Sequence, residues 1–143
     1  CVLRRHGDQM QRLPGRFWRA LGRADDTMNL GGIKVSSSEI ESAIGKIEGV
    51  AEVAAVAVAR AGGGPDRVIV YAVIGSGASQ TCTWWLAAMQ QVMREQLNPL
   101  FKIHNLVLVD ALPRTASGKV MRRQLRARYG ALATGEEGRH TMP

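Results

Sequence analysis

The segment Pro113-Arg114-Thr115-Ala116-Ser117-Gly118-Lys119 sets one primary ammonium directly behind a glycine and two short hydroxyl side chains. A compact charge on a long stem, beside a residue free to take positive φ, can be delivered to a ligand oxygen. Thr115 and Ser117 add hydroxyl donors, and Pro113 sets the direction of the chain into a turn. Val120 follows Lys119, so the G-x-x-x-x-G-K-[ST] phosphate loop is absent. A turn opening a solvated basic helix accounts for the same residues without any ligand.

A second cluster stands far upstream. It reads Gly22-Arg23-Ala24-Asp25-Asp26-Thr27-Met28-Asn29-Leu30-Gly31-Gly32-Ile33-Lys34-Val35 and runs into Ser36-Ser37-Ser38-Glu39-Ile40-Glu41. The two clusters, in this order and at this separation, resemble the C-terminal domain of the adenylate-forming superfamily. Within that group the likeness is to short-chain, acetyl-CoA-like synthetases, over roughly Arg4 to Tyr129.

The resemblance implies an acid–CoA ligase that uses ATP to make an acyl-adenylate and then passes the acyl group to CoA. Lys119 matches the lysine of the adenylation step, with Gly118 beside it. Arg23 matches a nucleotide-contacting arginine, and Asp25 the hinge about which the domain rotates between the two steps. Gly31, Gly32 and Lys34 match the segment that meets the pantetheine and phosphates of CoA, although relatives often carry Ser and Arg in place of Gly31 and Lys34. Gly7-Asp8 resembles a Gly-Asp pair whose aspartate accepts hydrogen bonds from ribose hydroxyls. Residues 1–24 would finish a large N-terminal domain, 25–129 would form the mobile catalytic domain, and 130–143 a flexible tail. Mg²⁺ is expected to arrive with ATP rather than to be bound by this chain. The P-x-x-x-x-G-K pattern also implies acetylation of Lys119 by a lysine acetyltransferase, which would remove the charge.

Several elements must position these residues. Pro14-Gly15 marks a turn before the strand-like Arg16–Leu21. Met28 to Val35 alternates around Gly31-Gly32 and predicts a short hairpin. Ser38 and Glu41 have capping-box spacing, and Ile40, Ala43, Ile44 and Ile47 predict an amphipathic helix ending near Gly49. Val53–Ala59 and Val68–Ile74, split by Ala61-Gly62-Gly63-Gly64-Pro65-Asp66, read as neighbouring antiparallel strands. Leu86, Met89, Met93 and Leu97 stripe a helix over 82–97, which Asn98-Pro99 stops. Leu106–Val109 predicts a third core strand, and Met121, Leu125 and Tyr129 stripe a last helix. The expected fold is α+β, a small central sheet flanked by helices and preceded by a β-hairpin.

With 143 residues, 45% hydrophobic and 22% charged, the chain suits one domain with a core. It opens on Cys, so a fragment of a longer protein is expected. Two cysteines far apart argue for neither a disulfide framework nor a zinc site, and a reducing, cytoplasmic setting follows. No apolar run is long enough for a membrane helix. The net charge of +7 suits ATP and CoA, both polyanions, but also nucleic acid. Lys119, Arg122, Arg123, Arg126 and Arg128 lie in a segment without an acid, whose bland reading is a solvated face. A basic nucleic-acid-binding module therefore stands as an alternative, though only 5% of residues are aromatic and no RNP, helix-turn-helix or zinc-finger signature occurs. A non-catalytic relative of the same fold is the other. His6, His104 and His140 are scattered and take no role; no metal site is expected. The expected partners are the chain's own N-terminal domain, ATP, CoA and a carboxylic acid.

Overall fold

The computed structural model describes residues 8–23 and 26–135. Strands β1 (Asp8–Arg12) and β2 (Trp18–Arg23) pair antiparallel around a short 3-10 turn, Pro14–Arg16. A second antiparallel pair follows, β3 (Thr27–Leu30) with β4 (Ile33–Ser36). Then come α1 (Ser37–Ile44), β5 (Val50–Val58), β6 (Arg67–Ile74), α2 (Cys82–Gln96), β7 (Ile103–Leu108) and α3 (Arg122–Gly135).

The central sheet has the order β5-β6-β7, antiparallel between β5 and β6 and parallel between β6 and β7. Parallel neighbours cannot be joined by a hairpin, and α2 is the crossover that this pairing requires. Alternation along β6 feeds two cores. Val68, Val70 and Ala72 face α1 and α2 with Ile40, Ile44, Trp85, Met89 and Met93. Ile69 and Tyr71 face the other way, against Leu125 of α3 and Leu112. The sheet is thus apolar on both faces, which explains why β5 and β6 read as continuous hydrophobic runs.

The α+β architecture matches the expectation, with corrections at the edges. The capping box is Ser36 with Glu39, not Ser38 with Glu41: Glu39 N donates to Ser36 Oγ at 3.2 Å, and Ser36 N donates to Glu39 Oε2 at 2.8 Å. Ser36 and Ser38 each stand three residues before an acid, and the hairpin's end at Ser36 decides between them. α1 stops at Ile44, with Gly45 as its C-cap, short of Gly49. The third strand is β7 at 103–108 rather than 106–109. Its start is held by Gln90, whose Nε2 donates to Phe101 O and whose Oε1 accepts from Ile103 N, both at 2.7 Å. The segment expected to be a tail is helical as far as Gly135.

Candidate functional site

Lys119 sits in a closed turn, not on the helix; α3 begins only at Arg122. Arg114 and Val120 form an antiparallel bridge. Between them Thr115 N donates to Lys119 O at 2.8 Å, and Gly118 N donates to Thr115 O at 2.9 Å. The Thr115 hydroxyl accepts from Lys119 N at 3.1 Å and lies 3.0 Å from Ser117 Oγ. Gly118 takes φ +85°, a conformation costly for any residue with a Cβ. The Arg114 guanidinium braces the turn, donating to Gly118 O and to Glu52 Oε2, each at 2.7 Å. The backbone on both sides of Lys119 is therefore fixed, while its side chain stays exposed. The hydroxyls read as possible ligand donors serve the turn itself.

The arginines behind it are not a uniformly solvated face, which corrects that reading. Arg122 makes a two-pronged contact with Glu41, Nη2 lying 2.7 Å from both carboxylate oxygens, with Nε 3.2 Å from Oε1. Its Nη1 also lies 3.7 Å from Asp26 Oδ2, and Arg126 Nη2 lies 3.4 Å from Asp26 Oδ1. Glu41 Oε1 accepts from Ala55 N as well, at 2.9 Å, and Ser37 Oγ donates to Asp26 O at 3.1 Å. This network ties α3 to α1, to β5 and to the residue next to Asp25. Arg123 and Arg128 are exposed. The Tyr71 hydroxyl seats the same helix by donating to Leu125 O at 2.9 Å, and burial pushes its pKa up, favouring the neutral donor.

The predicted hairpin is present. Gly31 and Gly32, at φ +68° and +89°, connect Leu30 to its register partner Ile33. Two residues of positive φ make the tight turn whose twist suits adjoining strands. Neither glycine has a neighbour within 4 Å of where a Cβ would stand, so φ rather than crowding selects them. Asn29 Oδ1 accepts from Gly32 N at 2.8 Å. Asp66 is bonded to Asn29 twice: its Oδ2 accepts from Asn29 N at 3.1 Å, and its N donates to Asn29 O at 3.0 Å. Lys34, exposed and paired in register with Asn29, lines a groove of about 710 Å³ together with Ser38, Ser42, Lys46 and Gln96. Arg19, Lys34 and Lys46 outnumber the one carboxylate of the lining, Glu39, which is held in the helix cap by Ser36, so the groove suits an anionic ligand.

The structure therefore gathers the candidates into separate places. No residue that lines the Lys34 groove belongs to the Lys119 turn or to its Arg114–Glu52 brace. Asp8 and Arg23 are register partners across β1 and β2, which brings those two positions together. Asp25 lies outside the described residues, as does Gly7. Glu41, Glu52 and Asp66 were missed as site-shaping residues. Each is a carboxylate whose partner is distant in sequence, and no local pattern marks such a pair. Among the described residues no group of three or more His, Cys, Asp or Glu could hold a metal ion. No helix there is long and apolar enough to cross a membrane.

Comparison with known proteins adds to this geometry. Residues 39–119 match the AMP-binding enzyme C-terminal domain family, a match that ends on Lys119. An Arabidopsis thaliana protein named as a peroxisomal acyl-activating enzyme is 44% identical over 128 residues, covering 87% of this chain and 18% of the relative. A protein of Cannabis sativa named hexanoyl-CoA synthase is 40% identical over 131 residues, with 90% and 18% covered. The structure of ATP-bound MatB from Rhodopseudomonas palustris superposes with a TM-score of 0.74 at 29% identity, over 89% of this chain and 24% of that one. The chain thus spans about a fifth of the length of these curated relatives. On fold, on matched residues and on identity, the chain belongs to the AMP-binding enzyme C-terminal domain family.

Proposed function

We propose that this chain is the mobile C-terminal part of an AMP-forming acid–CoA ligase, with Lys119 as its adenylation residue. Residues 1–24 finish the large N-terminal domain, and rotation occurs at Asp25. The observation that carries the reading is an exposed ammonium on a turn whose backbone is fixed on both sides. In the first step a carboxylate oxygen of the acid attacks the α-phosphorus of ATP, and pyrophosphate leaves with the electron pair of the broken bond. Negative charge grows on oxygens around that phosphorus, where a pre-positioned cation stabilises most. Lys119 supplies it as a compact charge that can sit between phosphate and carboxylate oxygens. Arg23 and Asp8 serve the nucleotide, the aspartate through the ribose hydroxyls. Mg²⁺ comes with ATP.

In the second step the CoA sulfur attacks the acyl carbon, AMP leaves, and the thiol proton passes to solvent. The hairpin of Gly31, Gly32 and Lys34 serves this step. Gly32 permits close backbone approach, and Lys34 screens phosphate charge beside the groove's other polar groups. The separation of this hairpin from the Lys119 turn supports two working faces on one domain, exchanged by rotation at Asp25. Removal of the Lys119 charge by an acetyltransferase would regulate the first step alone. A short-chain acid is the proposed substrate class. The cytoplasm is the proposed location, a reducing setting that suits the free thiol of Cys82. The nucleic-acid alternative has no support: Arg122 and Arg126, which it would need, are engaged by carboxylates.

The test uses the full-length enzyme. Lys119→Ala should lower acid-dependent pyrophosphate release by about 100- to 1,000-fold. Thioester formation from supplied acyl-adenylate should be largely retained. An equal loss in both steps would refute the two-face assignment.

A further inference from the structure

The hairpin that carries Gly31 and Gly32 has strands of four residues each, too short to hold a direction by their own pairing. Met28 and Val35 anchor its inner face in the main core, while Asp66 holds its outer edge at Asn29. The carboxylate accepts from the Asn29 amide, and the Asp66 amide donates to the Asn29 carbonyl, so one residue grips both polar groups of another's backbone. Asn29 in turn grips the glycine turn through its side chain and stands opposite Lys34. Asp66 immediately precedes β6, the strand bonded on both sides in the central sheet. A continuous path of bonds therefore runs from the middle of the sheet through Asp66 and Asn29 to Gly32.

We propose that Asp66 is a positioning residue for the thioester-forming step. It fixes the direction of the Gly31-Gly32 hairpin against the sheet and so sets where the backbone of Gly32 and the ammonium of Lys34 meet CoA. The inference rests on the reading of that hairpin as the CoA-facing segment. Asp66 touches no reacting atom. Asn29 is exposed, so its amide, if released, would be hydrated rather than stranded. Loss of the clasp should then leave the fold, the buried Met28 and Val35 and the Lys119 turn intact while the Gly31-Gly32 tip loses its direction. A charge-assisted bond to a backbone amide is also directional, which a long flexible partner would not supply.

The experiment compares Asp66→Ala, Asp66→Asn and Lys34→Ala in the full-length enzyme. Three readouts are needed: pyrophosphate release in adenylation, the CoA dependence of thioester formation from supplied acyl-adenylate, and thermal melting. Asp66→Ala should raise KM for CoA by about tenfold, the scale of one lost hydrogen bond to a charged group. Adenylation should stay at the parent value, and melting should fall by only about a few degrees, because the exposed Asn29 amide is rehydrated. Asp66→Asn keeps a carbonyl oxygen that can accept from the Asn29 amide and should recover most of the loss. An unchanged KM for CoA in Asp66→Ala, while Lys34→Ala raises it, overturns the positioning role and leaves the CoA-facing reading standing. Equal decline of both steps together with melting overturns it too, by showing a merely structural contact. If Lys34→Ala and Asp66→Ala both leave the CoA step untouched, the CoA-facing reading falls and this inference with it.

Discussion

Replacing Arg122 by alanine tests how the basic helix is held. Arg122 places Nη2 2.7 Å from both Glu41 oxygens and Nη1 3.7 Å from Asp26 Oδ2. The side chains of Arg122, Glu41 and Asp26 are about one-fifth exposed or slightly less. Stranding a fully buried charge by deleting its partner costs about 3–5 kcal/mol. Here Glu41 keeps the Ala55 amide, and Asp26 keeps Arg126 at 3.4 Å, so the loss should be smaller. An estimate of about 2–3 kcal/mol follows from that partial rescue and the residual solvent contact. For a chain of this size it corresponds to a fall in Tm of roughly 10 °C. A solvated surface arginine would move stability by no more than about 0.5 kcal/mol. The assay is thermal and urea unfolding of the 143-residue chain, followed by circular dichroism. A cycle with Glu41→Gln, which retains an oxygen for the Ala55 amide, should give a double variant less damaged than the sum of the singles. A melting curve for Arg122→Ala that overlays the parent's would refute the account and return the helix to a solvated face.

Gly49→Ala should destabilise the chain by about 3 kcal/mol, because it combines left-handed backbone strain with overpacking. Gly49 has φ +95°, and a Cβ there would stand 2.8 Å from Cη2 of the buried Trp85; an unaltered urea midpoint would contradict this packing. His104, exposed but partly desolvated, is expected to titrate below the ordinary histidine value, through that desolvation first and then the Arg67, Arg60 and Lys102 charges. The unfolded chain then binds the extra proton first, so stability should rise with pH between the folded value and about 6.5, and fall as acid is added across that window. His104→Gln should flatten that part of the stability profile, and a ring NMR titration showing an ordinary or raised pKa would sink the prediction.

What could be read from the residues divides along the range of the interactions. Hydrophobic period, glycine pairs and proline stops are local, and they placed the hairpin, the three core strands and the three helices. The errors fall where two local solutions are equal or where a distant partner decides. Ser36 and Ser38 both precede an acid three residues on, and only the register of β4, ending at Ser36, chooses between them. Glu41, freed from capping, is the residue that receives Arg122 across 81 positions of sequence. A run of arginines without a neighbouring acid reads as solvated because its acids, Glu41 and Asp26, lie on α1 and just before β3. Lys119 was legible as a chemical group from its own turn motif. The residues that hold it were not, since Glu52 is distant from that motif in sequence and Arg114 reads only as part of it. The same holds for Asp66, which follows a glycine-rich stretch that looks like an ordinary connection and clasps a hairpin 37 residues away. Groups that meet a substrate can be recognised by type and spacing, whereas groups that aim them are selected by the folded chain. If the proposed function holds, the Lys119 turn and the Gly31-Gly32 hairpin are therefore best perturbed through Arg114 and Asp66, which contact their backbones while Lys119 and Lys34 stay in the sequence.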